Sequence, residues 1–141
     1  MRALWRIQRP DSEPAEEKRR LAREALAVLE PALVVADDAD LFGLYQLRAQ
    51  AAVLAGEPDV LVESARDIVT SVASNLQQAA SDGVQPHPSQ LAMMRLSLDA
   101  VARELDRDFP AGARERAAVV QISAREAMER IDAAQGPDRT N

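Results

Sequence analysis

The sequence predicts an all-α fold, an antiparallel bundle of about five helices. Almost half of its 141 residues are apolar, yet only four are aromatic. The apolar residues are mostly Ala and Leu, and together with the abundant Arg and Glu these are strong helix formers. β-branched residues occur in pairs and not in the alternating runs of strands. Five segments with helical spacing are separated by short turns, which is typical of antiparallel bundles.

The first helix is predicted at 13–35. Asp11 or Ser12 can cap it, and Pro14 fits its first turn because the N–H that proline lacks has no partner there. Pro31 predicts a break near residue 30, since its ring clashes with the preceding turn. One apolar stripe is expected to face the core. It consists of Leu21, Ala25, Val28, Leu29 and Ala32.

The second helix is predicted from the end of ADDAD to Ala55, with Gly56 and Pro58 as its stop signal. Two apolar stripes cover it, and few polar residues separate them. A helix that is apolar nearly all round is usually buried on several sides, so we expect this one at the centre with no solvent face. The stripes are Leu41, Leu44, Leu47, Ala51 and Leu54, and Phe42, Tyr45, Ala49, Ala52 and Val53.

Three further helices are predicted at about 59–80, 90–108 and 112–134. The stretch SDGVQPHPSQ separates the first two, and Ser89 in it is the expected N-cap of the fourth helix. Each helix carries one apolar stripe that is expected to be buried. The stripes are Leu61, Ala65, Ile68, Val72 and Leu76; Leu91, Met94, Leu98, Val101 and Leu105; and Ala117, Val120, Ala124, Ala127 and Ile131.

The chain is expected to be one domain at 13–135, with an N-terminal arm at 1–12 and a frayed tail at 136–141. Its N-terminus lacks the apolar run of a secretory signal, and no stretch approaches the roughly 20 apolar residues of a membrane span. The absence of cysteine excludes disulfides and zinc–sulfur sites and fits a reducing compartment. We therefore expect a soluble, cytoplasmic protein with no membrane contact.

One segment, LYQLRAQAAVLAGEPDVLVESARDIV, resembles a tetratricopeptide hairpin. Tyr45, Ala49 and Gly56 fall near the positions that this family uses for a large residue, a small residue and a turn. The resemblance covers one hairpin, and the second helix of that hairpin does not hold the family's spacing. It implies a helical repeat scaffold as one alternative.

Charge is distributed unevenly along the chain. The formal net charge is −6, and residues 33–82 hold only Arg48 and Arg66 against eight acidic residues. A nucleic-acid-binding surface needs the opposite sign, so DNA and RNA are excluded as expected partners. An acidic surface suits a protein that covers a basic site on another protein.

His87 and three aspartates are the residues whose types most suggest a site. His87, the only histidine, stands between two prolines without an orienting acid or further metal ligands, so we interpret it as an exposed turn residue. Asp37, Asp38 and Asp40 lack the glycine and distal glutamate of a calcium loop and are interpreted as helix-capping acids. No nucleophile or phosphate-binding motif occurs. We expect no catalytic residue, no metal and no cofactor.

The expected function is therefore a protein–protein interaction module: an adaptor, an inhibitor or an assembly subunit. The expected partner-binding residues are Trp5, Arg6 and Ile7 of the arm, and Met93 and Leu96 beside the seam of the fourth helix. The surplus of apolar faces predicts a homodimer.

The alternative of another class is a helical small-molecule sensor or enzyme. Its pocket would be formed by Phe42, Tyr45 and Met94, with Met93 beside them and Gly43 marking either the pocket or a close helix crossing.

Overall fold

The computed structural model describes residues 12–135, which form five α-helices and, within that range, no strand. The side chains of residues 12–14, 38 and 39 are not described, and the arm and the tail lie outside the described range. The helices are α1 (Ser12–Val35), α2 (Asp38–Ala55), α3 (Pro58–Asp82), α4 (Pro88–Glu104) and α5 (Ala111–Gln135).

Side-by-side helix packing confirms the predicted all-α bundle class. α1 packs against α2, and α4 packs against α5. Both pairs are joined by short connections, so each forms an antiparallel hairpin. The chain divides into two compact units inside α3, between Leu61 and Val62. The expected single domain at 13–135 stays a prediction.

α1 continues through Pro31 without interruption, so the predicted break near residue 30 is wrong. Proline removes the hydrogen bond to the carbonyl group four residues earlier, which here belongs to Ala27. Both residues lie on the exposed side of the helix. Water can therefore satisfy that carbonyl group, and the helix tolerates the proline.

The most buried face of α1 is rotated about the helix axis, by about the angle of one residue, from the predicted stripe. Ala22 is buried, whereas Leu21 and Val28 are 49% and 69% exposed. The sequence offers apolar residues on two adjacent faces of this helix, and periodicity alone does not choose between them. The two faces share Leu29, which is half-buried as is Ala32, so the predicted stripe is wrong for Leu21, Ala25 and Val28 only. The most buried face consists of Ala22, Leu26, Leu29 and Leu33, of which the three leucines are half-buried.

α2 has a solvent face, so the expectation that it has none is wrong. Leu47 and Leu54 are 52% and 56% exposed. On this helix, which packs against α1, small side chains are buried instead, and they leave room for the large side chains of a neighbouring helix. The buried residues of α2 are three alanines and one arginine: Ala51, Ala52, Ala55 and Arg48.

The second unit follows the sequence pattern closely. The predicted stripes of α3, α4 and α5 are buried, with Met94 half-buried as the one exception. These stripes were single and narrow, so only one orientation of each helix could bury them. Phe109, in the connection before α5, adds the one buried aromatic side chain among the described residues.

Glycines end two helices. Gly56 ends α2 as predicted, with φ of 70°, and Gly83 ends α3 with φ of 69°. In each turn the backbone N–H of the residue after the glycine donates to a carbonyl oxygen of the last helical turn, as in a Schellman motif. These bonds run from Glu57 to Ala52 and from Val84 to Ala79. Gly43 differs: an added Cβ there would meet no atom within 4 Å. The close helix crossing expected at Gly43 is therefore wrong.

Candidate interaction surfaces

A groove of about 660 Å³ lies beside the α4–α5 hairpin in the second unit. It is open along the surface and not enclosed. Its apolar lining comes from the turn before α4, from two turns of α4 and from the end of α5. The apolar lining residues are Pro86, Pro88, Leu91, Ala92, Leu96 and Ala134.

Arg95 lies in the groove and links the two helices. Its Nε donates to Asp132 Oδ1 on α5 at 3.1 Å, and its Nη1 donates to Asp99 Oδ1 one turn along α4 at 3.2 Å. Nη1 also contacts the sulfur of Met128. All three charged side chains are about one third to one half exposed. Arg95 therefore bonds to one carboxylate on each of the two helices.

Met93 and Leu96 lie on α4, one turn apart. They are 67% and 68% exposed, and Leu96 lines the groove itself. They are the two expected partner-binding residues that the structure describes, since Trp5, Arg6 and Ile7 lie outside the described residues. The sequence predicted this α4 surface from its apolar pattern. The contact between Arg95 and Asp132 could not be predicted from the sequence, because only the register of α4 on α5 brings the two side chains together.

The α1–α2 hairpin forms a second surface, in the first unit. Glu30 Oε1 lies 3.8 Å from Arg48 Nη1, and Arg19 Nε lies 4.0 Å from where a Cβ on Gly56 would stand. These two approaches fix the antiparallel register of the hairpin. At this register Leu21 of α1 is level with Leu54 of α2, and the next pair along, Val28 and Leu47, is level as well.

These four aliphatic residues share one flank of the hairpin. A helix turns about 100° per residue, so Glu30 lies on one side of the buried seam of α1 and Leu21 and Val28 lie on the other. Arg48 is directed toward Glu30, and Leu47 precedes it by one residue and is turned to the opposite side. Leu54 follows Leu47 by seven residues and lies on the same side. The aliphatic flank, defined as Leu21, Val28, Leu47 and Leu54, is thus opposite the Glu30–Arg48 pair.

Arg48 is the most buried charged residue that the structure describes, with 4% of its side chain exposed. Its guanidinium carbon stands 5.6 Å from the centroid of the Tyr45 ring. A cation over an aromatic face is attracted to the ring's negative potential. The Arg48 side chain therefore packs on the Tyr45 ring of its own helix.

His87 has a structural role that the sequence did not reveal. Its Nδ1 accepts a hydrogen bond from the backbone N–H of Ser89 at 3.1 Å, and Gln90 Oε1 accepts one from the backbone N–H of His87 at 3.3 Å. His87 is exposed, as predicted, but it is also the N-cap of α4. The prediction of Ser89 as the cap is wrong, because Pro88 already occupies the first helical position.

Asp37, Asp38 and Asp40 lie at the start of α2, as the sequence predicts, but the capping bonds shown there come from the backbone of Asp37. Asp37 is the N-cap residue, and its carbonyl oxygen accepts from Asp40 and Leu41, but its side chain makes no capping bond. Among the described residues no group of three or more His, Cys, Asp or Glu side chains is placed to hold a metal ion.

One described residue has a displaced pKa. A side-chain hydrogen bond and charge attraction from Glu17, with attraction from Glu24, raise the pKa of the exposed Arg20 above its ordinary value. An arginine is charged at every physiological pH in any case. The i,i+3 and i,i+4 ion pairs of this helix therefore form a solvated surface and not a titrating site.

The residues of the alternative small-molecule pocket are half-buried. Phe42 and Tyr45 lie on α2, in the first unit, and Met94 lies on α4, in the second unit.

No family model, no curated protein and no solved structure matches this chain. The resemblance to a tetratricopeptide hairpin thus rests on Tyr45, Ala49 and Gly56 alone. None of the described helices combines the length and the apolarity that crossing a lipid bilayer requires.

Proposed function

We propose that this chain is a cytoplasmic protein–protein interaction module without catalytic chemistry of its own, which binds a segment of another protein in the α4–α5 groove. The observation that carries the proposal is Leu96, which is about two thirds exposed in the lining of an apolar groove, with the equally exposed Met93 one turn before it on α4. Large apolar side chains clustered around a concavity are typical of binding sites.

The groove also supports a particular kind of partner. Its floor is apolar, while two carboxylates, Asp99 and Asp132, stand in it and both bond to Arg95. A segment with one apolar anchor side chain and flanking basic residues would satisfy both features. The net charge of −6 favours encounter with such a basic partner.

The shape of the groove favours a protein segment over a small molecule. Its volume of about 660 Å³ falls within the range of ligand pockets, but such pockets bury most of the ligand's surface, roughly 70–90% of it. An open groove covers one side of an extended segment and leaves the other side to solvent. The small-molecule alternative therefore has less support at this site.

The test is capture of partners from an extract of the source cells with three forms of the tagged chain: wild type, Leu96→Lys and Val119→Lys. Val119 is the matched control, because it is 64% exposed on α5 of the same unit and does not line the groove. We expect wild type and Val119→Lys to retain the same proteins and Leu96→Lys to lose them. Identical capture by all three forms would refute binding at the groove, provided that circular dichroism shows all three folded.

A further inference from the structure

We propose that the aliphatic flank of the α1–α2 hairpin binds the same flank of a second copy, with the two hairpins antiparallel, so that the chain forms a four-helix dimer. This concerns the first unit and is independent of the groove. Each of the four side chains of the flank, Leu21, Val28, Leu47 and Leu54, is about half exposed or more. Within the first unit, the flank is therefore uncovered.

The α1 part of the flank has the spacing of a coiled-coil seam. Leu21, Ala25, Val28, Ala32 and Val35 follow one another at steps of four and three residues, the pattern with which one helix packs along another. The pattern is also nearly symmetric about Val28, with Leu21 and Val35 seven residues to either side. A second α1 running in the opposite direction would place Leu21 against Val35 and Val28 against its own copy.

Charge selects the antiparallel orientation. Between residues 30 and 40, at the closed end of the hairpin, there are four acidic residues and no basic one. At the open end, the four basic residues between residues 18 and 23 are balanced by four glutamates between residues 13 and 24. Two closed ends side by side would bring acidic residues together. The antiparallel arrangement instead brings Lys18, which continues the seam, toward Asp37 and Asp40 of the second copy.

The area of the flank is of the same order as one side of a standard interface. At 1.5 Å per residue the 18-residue α2 is about 27 Å long, and two helices side by side are about 20 Å wide. The hairpin thus presents roughly 500 Å² in projection, and more in accessible area, against the roughly 800 Å² per partner of a standard interface. With a two-fold axis the same surface of each copy forms the interface, as in most homodimers.

The test uses single cysteines, because the chain has none of its own. Four purified variants are each treated with a short bis-maleimide, and the products are separated by mass. The variants are Val28→Cys, Leu21→Cys, Val35→Cys and Ile122→Cys. Leu21→Cys and Val35→Cys are also mixed, re-equilibrated and treated together. Ile122, 56% exposed on α5 in the second unit, controls for random collision.

We expect Val28→Cys to cross-link to itself, and the mixture of Leu21→Cys and Val35→Cys to give the mixed product. Leu21→Cys alone should cross-link no more than the Ile122→Cys control. Strong self-linking of Leu21→Cys would show that the open ends meet each other and would overturn the antiparallel arrangement. A Val28→Cys yield equal to the control would overturn pairing through this flank altogether, whereas the groove proposal would stand or fall on the capture experiment.

Discussion

The imidazole of His87 caps α4: its Nδ1 accepts the backbone N–H of Ser89 at 3.1 Å. From Cβ outward, Nδ1 occupies the position that a side-chain oxygen occupies in Asn, a preferred N-cap residue. His87→Ala is therefore expected to lower the free energy of unfolding by about 1 kcal/mol. His87→Asn should stay close to wild type. Urea unfolding of the three proteins measures both effects, and an alanine variant as stable as wild type would show that the cap contributes nothing.

The sequence alone supports a different outcome for His87→Ala. A lone histidine between prolines predicts a substitution without consequence, because exposed positions without partners usually change stability by less than about 0.5 kcal/mol. The position is exposed, but it has partners in its own backbone.

Gly43→Ala is expected to stabilise the protein by roughly 1 kcal/mol, since glycine inside a helix is that much less favourable than alanine. The new Cβ would meet no atom within 4 Å. Gly56→Ala is the matched control and should destabilise by about 1–2 kcal/mol, because Gly56 has φ of 70° and alanine is strained there. Thermal unfolding should rank Gly43→Ala above wild type and Gly56→Ala below it. The reverse order would contradict a helical backbone at Gly43 and a left-handed one at Gly56.

The Glu30–Arg48 ion pair should contribute little compared with the packing of Arg48. Glu30 is 61% exposed and its Oε1 lies 3.8 Å from the guanidinium, so Glu30→Gln should cost less than about 1 kcal/mol. Arg48→Ala removes a buried side chain that packs on Tyr45 and should cost about 2 kcal/mol or more. Arg48→Met, which keeps most of the aliphatic stem, should fall between them. Equal losses for Glu30→Gln and Arg48→Ala would place the stabilisation in the ion pair instead.

Leu47→Asp is expected to leave the monomer folded. The sequence alone predicts that this substitution prevents folding, but Leu47 is half exposed and a carboxylate there reaches water. Leu98→Asp is the control: Leu98 is fully buried in the second unit, and an unpaired charge there should prevent folding. Circular dichroism with thermal melting distinguishes them. Loss of the cooperative transition in Leu47→Asp would show that the flank belongs to the core.

The pattern of apolar residues predicted the second unit better than the first. α3, α4 and α5 each have one narrow stripe, and burying it leaves a single choice of orientation. α1 and α2 are apolar on more than one face, so the sequence does not decide which face packs inside. In α1 the structure turns Leu26 and Leu29 inward and leaves Leu21 outside, and in α2 it buries alanines and leaves Leu47 outside. Which faces fit together depends on how large and small side chains match between the two helices.

The candidate interaction surfaces also divide into residues that the sequence pattern predicts and residues that only the packing of the helices brings together. Met93 and Leu96 were recognisable as apolar residues beside a seam. The Arg95–Asp132 pair joins residues that are 37 positions apart, so it depends on the register of α4 on α5. The aliphatic flank likewise becomes visible only when the hairpin register places Leu21 level with Leu54.

Sedimentation equilibrium of the wild-type chain at micromolar concentration, beside Val28→Lys, tests most directly the claim that this chain pairs through its first hairpin. A lysine at position 28 would meet its own copy across the two-fold axis, and the two like charges would repel. We predict a wild-type mass about twice the 15.4 kDa of one chain and a single-chain mass for folded Val28→Lys. A wild-type mass of one chain at every concentration, or an unchanged dimer in Val28→Lys, would contradict the claim.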